Sequence, residues 1–216
     1  MKHYLGVDIG TYETKGVITD GNGRIVAQAA RPHQMIVPQP GWAEHRPEED
    51  WWGDFVHVTR EMLATPRIAP SSIAAIGCSA IGPCVLPVDR DGAPLMNGIL
   101  YGVDTRATVE IDRLNGIIGT DVVLARCRNA LTTQAGGPKI LWIEANRPDV
   151  FAKTHKILNS TSFVVHRLTG AFTLDHYSAG SYPPYYLPDK LAWSDELAPE
   201  TVDLGLMPDL LWATDI

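Results

Sequence analysis

Residues 2–30 alternate apolar and polar with a period of two. Leu5, Val7 and Ile9 stand against Tyr4, Gly6 and Asp8, the spacing of a strand with one covered face. TKGVITD and RIVAQAA continue the pattern, and DGNGR between them is a Gly/Asn turn of hairpin type. Links this short join antiparallel neighbours, whereas parallel strands need long crossovers. The proline-rich stretch RPHQMIVPQPGWAEHRPEED leads into a helix. Pro47 suits a first turn, and Glu48, Glu49 and Asp50 suit the positive end of the helix dipole. Trp51, Phe55, Val58 and Met62 then fall on one helical face, which should end before Pro66.

SIAAIGCSAIGPCVLPVDRDGAP reads as a buried strand, a Gly-Pro loop, a short strand and an Asp-Gly turn. Ala107, Ile111, Leu114 and Ile118 mark a second amphipathic helix. GGPKILWIEANRPDVF predicts a third, started by Pro138 and stopped near Pro148. STSFVVHRLTG predicts a fourth that ends at Gly170, and the aromatic YSAGSYPPYYLPD reads as an ordered loop over the surface. The order β-β-β-α-β-β-α-α-α gives a mixed α/β fold whose sheet opens with an antiparallel hairpin group.

Composition narrows the chemistry. With 216 residues, 45% hydrophobic and 20% charged, the chain is an ordinary globular one, long enough for one large domain or two small ones. A net charge of -7 without a Lys/Arg cluster argues against a nucleic-acid partner. No apolar run approaches the ~18 residues of a membrane span, so no membrane partner is expected. The N-terminus lacks the basic flank and apolar core of a signal peptide. Cys78, Cys84 and Cys127 are odd in number and lack metal spacing, as expected of reduced thiols in a cytoplasmic protein. The seven histidines are scattered, and neither a zinc nor a hydrolase motif is present.

LGVDIGTYETKGVI, residues 5–18, admits two readings. One is a hairpin with a charged tip, since Asp and Gly are common in turns. The other is a phosphate site. Asp8 ends the first strand on its polar side, and Gly10 allows close approach of a ligand to the backbone. Thr11, Tyr12 and Glu13 offer backbone N–H groups in a tight turn, Thr11 a hydroxyl and Lys15 a cation. A carboxylate beside such a cradle suits Mg²⁺, which keeps most of its waters. The chain has neither a P-loop nor a G-x-G-x-x-G fingerprint.

GVDIGTYETKGVI resembles the first phosphate motif of the actin-like ATPase superfamily, whose domains are ribonuclease H-like. PGWAEHRPEEDWW follows and is similar to the loop and helix of the FGGY carbohydrate kinases, among them xylulokinase and glycerol kinase. AIGCSAIGPCVLPVDRDGAPLMNGILYGVDTRA resembles their next block, which ends in an aromatic and a D-x-R. TTQAGGPKILWIEANRPDVFAKTHKILNSTSFVVHRLTGAFTLD matches the one after that. The resemblance covers residues 3 to about 200. It implies that residues 1–216 are the N-terminal, sugar-binding domain of such a kinase, without the C-terminal ATP-binding domain.

The resemblance also implies roles. Cofactors would be ATP and Mg²⁺, and the substrate a ketose or polyol. Asp8 would hold Mg²⁺ through water, and Gly10 and Thr11 would approach the β- and γ-phosphates. Lys15 is either a phosphate contact or a solvent-facing strand residue. The substrate wall would draw on Gly82, Pro83, Tyr101, Asp104, Arg106 and Gln134. Where xylulokinases carry Gln-Met-His-Gly, this chain has Ile81-Gly82-Pro83-Cys84, which puts xylulose in question. Asp104 reads as a helix N-cap, a substrate contact or both, and Arg106 as a substrate contact or as partner to a helix carboxylate. Trp42 and Glu44 read as loop supports. The family's general-base Asp, in a G-G-D-x-x-A block, is not in this sequence, so the chain alone should not turn over and should contain no catalytic base. An apolar face left open would favour self-association. The alternative is an actin-like domain that binds or regulates without phosphoryl transfer.

Overall fold

The computed structural model describes residues 1–66, 68–199 and 201–215. Strands β1 (His3–Ile9), β2 (Glu13–Asp20) and β3 (Ile25–Pro32) form an antiparallel meander. The short β4 (Glu44–His45) precedes a π-wound turn, Pro47–Gly53, which runs straight into α1 (Asp54–Leu63). β5 (Ile73–Ala80) returns parallel to β1 and completes a four-stranded sheet of order β3-β2-β1-β5. The mixed sheet with its antiparallel opening is thus as the hydrophobic pattern indicates.

α1 covers one face of this sheet, and Trp51, Phe55, Val58 and Met62 are all buried. Each such side chain contributes about 1.5–3 kcal/mol by leaving water. Gly16 on β2 makes the close approach of α1 feasible, because a Cβ there would lie 2.5 Å from the Met62 methyl.

Much of the rest of the chain forms a second apolar cluster beside the sheet, while Leu86, Val88, Phe163 and Val164 join the first. The second cluster draws on β7 (Gly98–Ile99), α2 (Thr108–Ile118), α3 (Thr120–Cys127), α4 (Gly136–Asn146), α5 (Pro148–Phe151) and β8 (Lys156–Leu158), while β6 (Leu86–Val88) packs with the sheet and α1. α6 (Ser160–Thr169), β9 (Thr173–Asp175) and α7 (His176–Ala179) follow, then the β10 (Tyr186–Leu187) and β11 (Ala192–Trp193) pair, and β12 (Asp209–Leu211) alongside β9. Asn159 caps α6 by accepting from the Ser162 N–H, and Gly170 ends it at φ 78°.

Two expectations need correction. Ile73–Ala80 was expected to be buried, yet it is largely open: it stands at the sheet edge, and Ile76 is 47% exposed. The aromatic segment after Tyr177 does not lie over the surface. Tyr182, Tyr185, Tyr186 and Leu187 enter the core, where their rings supply apolar area and the Tyr182 hydroxyl donates to the Cys84 carbonyl at 2.6 Å. Among the described residues the three cysteines are free thiols, and no helix is long and apolar enough to cross a membrane.

β7 sits directly on the helix that enters α1: a Cβ at Gly98 would run into the indole of Trp51, which is fully buried. Gly98→Ala is expected to cost roughly 1–3 kcal/mol, read as a lower urea midpoint at unchanged m-value.

Candidate active site

The stretch between β1 and β2 closes on itself. The Gly10 N–H donates to the Glu13 carbonyl at 2.9 Å, and a Cβ on Gly10 would lie 3.0 Å from that same oxygen. Glycine therefore suits the first position. The carbonyls of the next residues are also occupied. His33 Nε2 is 3.0 Å from the Gly10 oxygen, His45 Nε2 is 3.0 Å from the Thr11 oxygen, and the His33 backbone N–H donates to Tyr12 O at 2.9 Å. The Thr11 and Tyr12 amides, by contrast, have no protein acceptor among the described residues. A turn whose carbonyls are all tied back and whose Thr11 and Tyr12 amides are free can cradle an anion.

Asp8 is exposed at the end of β1, directly across from Lys15 on β2 and in register with Ser79 on β5. Together these residues line a shallow depression of about 460 Å³ on the open sheet face. Lys15 is itself exposed and paired with Glu13 at 3.2 Å. Among the described residues no group of three or more His, Cys, Asp or Glu gathers as a metal site. A single free carboxylate beside an amide cradle is the donor set that a largely hydrated Mg²⁺ needs.

The expected substrate residues fall into three places. Tyr101 reaches the turn: its hydroxyl is 2.9 Å from Thr11 Oγ1. Gln134 meets the same loop, accepting from the Gly102 N–H at 3.3 Å, while Thr133 donates to the Gly102 carbonyl at 2.9 Å. Gly82 and Pro83 instead border a separate open groove of about 980 Å³, which also touches Cys78, Ser79, Arg128, His176 and Trp212. The groove and the depression share Cys78 and Ser79, so they meet at β5.

Asp104 and Arg106 are buried as a pair beneath the loop. Arg106 Nη2 donates to Asp104 at 2.7 Å and to Glu44 at 2.9 Å, and its guanidinium stacks on Trp42 at 4.0 Å from the ring centroid. Asp104 also accepts from the Ala43 N–H at 2.7 Å. The helix that follows is not capped by Asp104: α2 begins after Ala107, with no side-chain cap. The two residues brace the 41–45 loop against the loop that carries Tyr101, with Trp42 and Glu44 as their partners.

Sequence reasoning missed the layer behind the turn. His33, His45 and Asp54 are scattered along the chain, and only the fold collects them. His33 Nδ1 is 2.7 Å from Asp54 Oδ2, which also accepts from Thr14, and Asp54 Oδ1 pairs with Arg31 at 3.1 Å. Burial opposes charge on His33, but the hydrogen bond and charge of Asp54, with the Gly10 carbonyl and Asp50, raise its pKa. Burial, reinforced by repulsion from His33, lowers His45 to about 4. Lys139 was missed too. It is 1% exposed, donates to the Thr133 carbonyl at 2.7 Å, and burial pushes its pKa down to about 8 against the pull of Asp104.

Residues 3–216 match the family model of the FGGY family of carbohydrate kinases, N-terminal domain. The chain belongs to this family. The xylulose kinase of Bacillus subtilis is 26% identical over 210 residues, 97% of this chain and 41% of that protein. The glycerol kinase of Thermococcus kodakarensis is 31% identical, covering 100% of this chain and 44% of that protein. Among solved structures, the xylulose kinase of Rhodospirillum rubrum superposes with a TM-score of 0.89 at 27% identity, over 97% of this chain and 43% of that one. The FGGY chain therefore has the actin-like ATPase fold, and it spans about two fifths of the length of the relatives it matches.

The two histidines give the domain opposite pH dependences. His45 is harder to protonate folded than unfolded, so its contribution is present above pH 6.5 and lost as pH falls towards about 4. His33 is easier to protonate folded, so its contribution is present below 6.5 and lost as pH rises through its raised pKa. Urea midpoints of the parent chain and His45→Gln, compared between pH 4 and 6.5, should converge as the pH falls; a constant gap would contradict the assignment.

Proposed function

We propose that this chain is the sugar-binding half of an ATP-dependent carbohydrate kinase acting on a hydroxyl of a ketose or polyol. The observation that carries the reading is the Gly10–Glu13 turn: its carbonyls are tied back, its Thr11 and Tyr12 amides are free, and Asp8 stands exposed beside it. The hydrogen bond between Thr11 and Tyr101 joins this cradle to the loop where a substrate would lie. Family membership and the xylulose and glycerol kinases among the relatives support the substrate class. A reduced, cytoplasmic setting suits the three free thiols.

The residues divide the work. Bound MgATP would supply the γ-phosphoryl group, its metal neutralising phosphate charge. Asp8 would hold the metal's waters, and the Thr11 and Tyr12 amides would receive phosphate oxygens. Tyr101 and Gln134 would present polar atoms to a sugar beside the turn, whereas Gly82 and Pro83 border the separate groove and would not form part of that wall. Asp104, Arg106 and Lys139 act one step back, holding the 101–104 and 132–135 loops. On the family resemblance, the base that accepts the proton of the attacking hydroxyl, and the rest of the nucleotide site, would come from a C-terminal domain.

The 216-residue chain is therefore expected to bind a ketose or polyol without consuming ATP. Titration with D-xylulose, glycerol and related sugars, followed by amide shifts at Tyr101 and Gln134 together with ADP release, tests this. Sugar-dependent ADP release by this chain alone would overturn the half-enzyme reading. Failure to bind any of the panel would favour a non-catalytic actin-like domain.

Self-association belongs to the same reading. The outer edge of β5 is unpaired among the described residues, and IAAIGCSA carries neither charge nor proline to blunt it. Sedimentation velocity should show concentration-dependent dimers that Ile76→Lys abolishes. A monomer at every concentration would count against it.

A further inference from the structure

Two imidazole rings lie behind the Gly10–Glu13 turn and have no part in the phosphate contacts themselves. His33 and His45 are 7% and 0% exposed, and their rings meet edge to face with centroids 4.9 Å apart. Each aims Nε2 at the carbonyl of one of two consecutive residues, His33 at Gly10 and His45 at Thr11, both at 3.0 Å. A carbonyl oxygen only accepts, so both Nε2 atoms carry hydrogen.

The other nitrogens differ. The Trp51 indole N–H donates to His45 Nδ1 at 3.1 Å, which leaves that nitrogen bare and the ring neutral. His33 Nδ1 faces Asp54 Oδ2 at 2.7 Å. Asp54 already takes Thr14 and the Arg31 guanidinium, so it is the acceptor and His33 is doubly protonated. The charged groups around the pair are Asp54 and Asp50 from the helical side, Arg31 from β3, and Arg46 beside Asp50.

In a planar trans peptide the carbonyl of one residue and the N–H of the next point to opposite sides. Drawing the Gly10 oxygen inward onto His33 therefore turns the Thr11 N–H outward. Drawing the Thr11 oxygen onto His45 does the same for Tyr12. These are the two amides that lack an acceptor among the described residues. We propose that His33 and His45 are positioning residues that aim the Thr11 and Tyr12 amides at a phosphoryl group, one ring held as the cation and the other neutral. The inference rests on reading the turn as a phosphate cradle. Neither ring touches phosphate; both act through the backbone.

Long-range ¹⁵N spectra of the imidazoles in the unmodified chain at neutral pH read the ring states directly. The expected result is His33 protonated on both nitrogens and His45 on Nε2 alone. A neutral His33, or a proton on Nδ1 of His45, overturns the proposal without any variant. Titration with magnesium tripolyphosphate, followed at the Thr11 and Tyr12 amides, then tests the consequence. His33→Phe and His45→Leu should each weaken binding about tenfold, the loss of one such hydrogen bond. His45→Gln, whose side-chain amide can donate to the same carbonyl, should restore most of it. Binding in the unmodified chain that both apolar variants retain overturns the proposal and leaves the cradle reading standing. If the unmodified chain does not respond at either amide, the cradle reading fails and the proposal fails with it.

Discussion

A single buried carboxylate, Asp54, joins the elements on which the phosphate turn depends. It lies at the start of α1, 2% exposed, and takes Thr14 from β2, Arg31 from β3 and His33 from the following loop. An unpaired carboxylate there would be strongly destabilising, because water is excluded and no other group could solvate it. With three partners it becomes a fixed point. The register of β2 against β3, the depth of α1 and the orientation of the His33 ring are all referred to it. Through His33 it reaches the Gly10 carbonyl, so the turn is supported by the packed interior.

A second buried charge cluster does the same for the substrate side. Arg106 is wholly buried between Asp104 and Glu44, with Trp42 against one face of its guanidinium. Stacking on aromatic rings and a bidentate approach to carboxylates use the planarity that lysine lacks. The cluster locks the 41–45 loop to the 101–106 loop. That same 41–45 loop delivers His45 to the Thr11 carbonyl, so the two clusters bear on one turn from opposite ends.

Much of this fold was legible in the sequence, because helix and hairpin signals are local. Trp51, Phe55, Val58 and Met62 at helical spacing predict α1, and Gly170 marks the end of α6. Covering layers are another matter. IAAIGCSA reads as buried because its residues are small and apolar, but nothing in eight residues states that its neighbour is missing on one side. The Tyr-rich segment failed for the opposite reason: prolines suggested a surface loop, while three tyrosines turn into the core. The turn and Asp8 were legible through the family motif. His33, His45 and Asp54 were not, since three residues far apart in sequence become neighbours only once β1, β3 and α1 are packed.

The arrangement behind the turn has an electrostatic consequence. The chain as a whole carries -7, which disfavours a polyanion at long range. Close to the turn, Arg31 and His33, in the protonated state proposed for it, leave one net positive charge against Asp54, with the His33 and Asp54 side chains buried and Arg31 partly open to solvent. Both cations are held on the buried Asp54 carboxylate, so a phosphate arriving at the amides would meet attraction without first having to order an unpaired lysine. The local sign at the turn is thereby set by groups anchored on a buried carboxylate, against the sign of the chain as a whole.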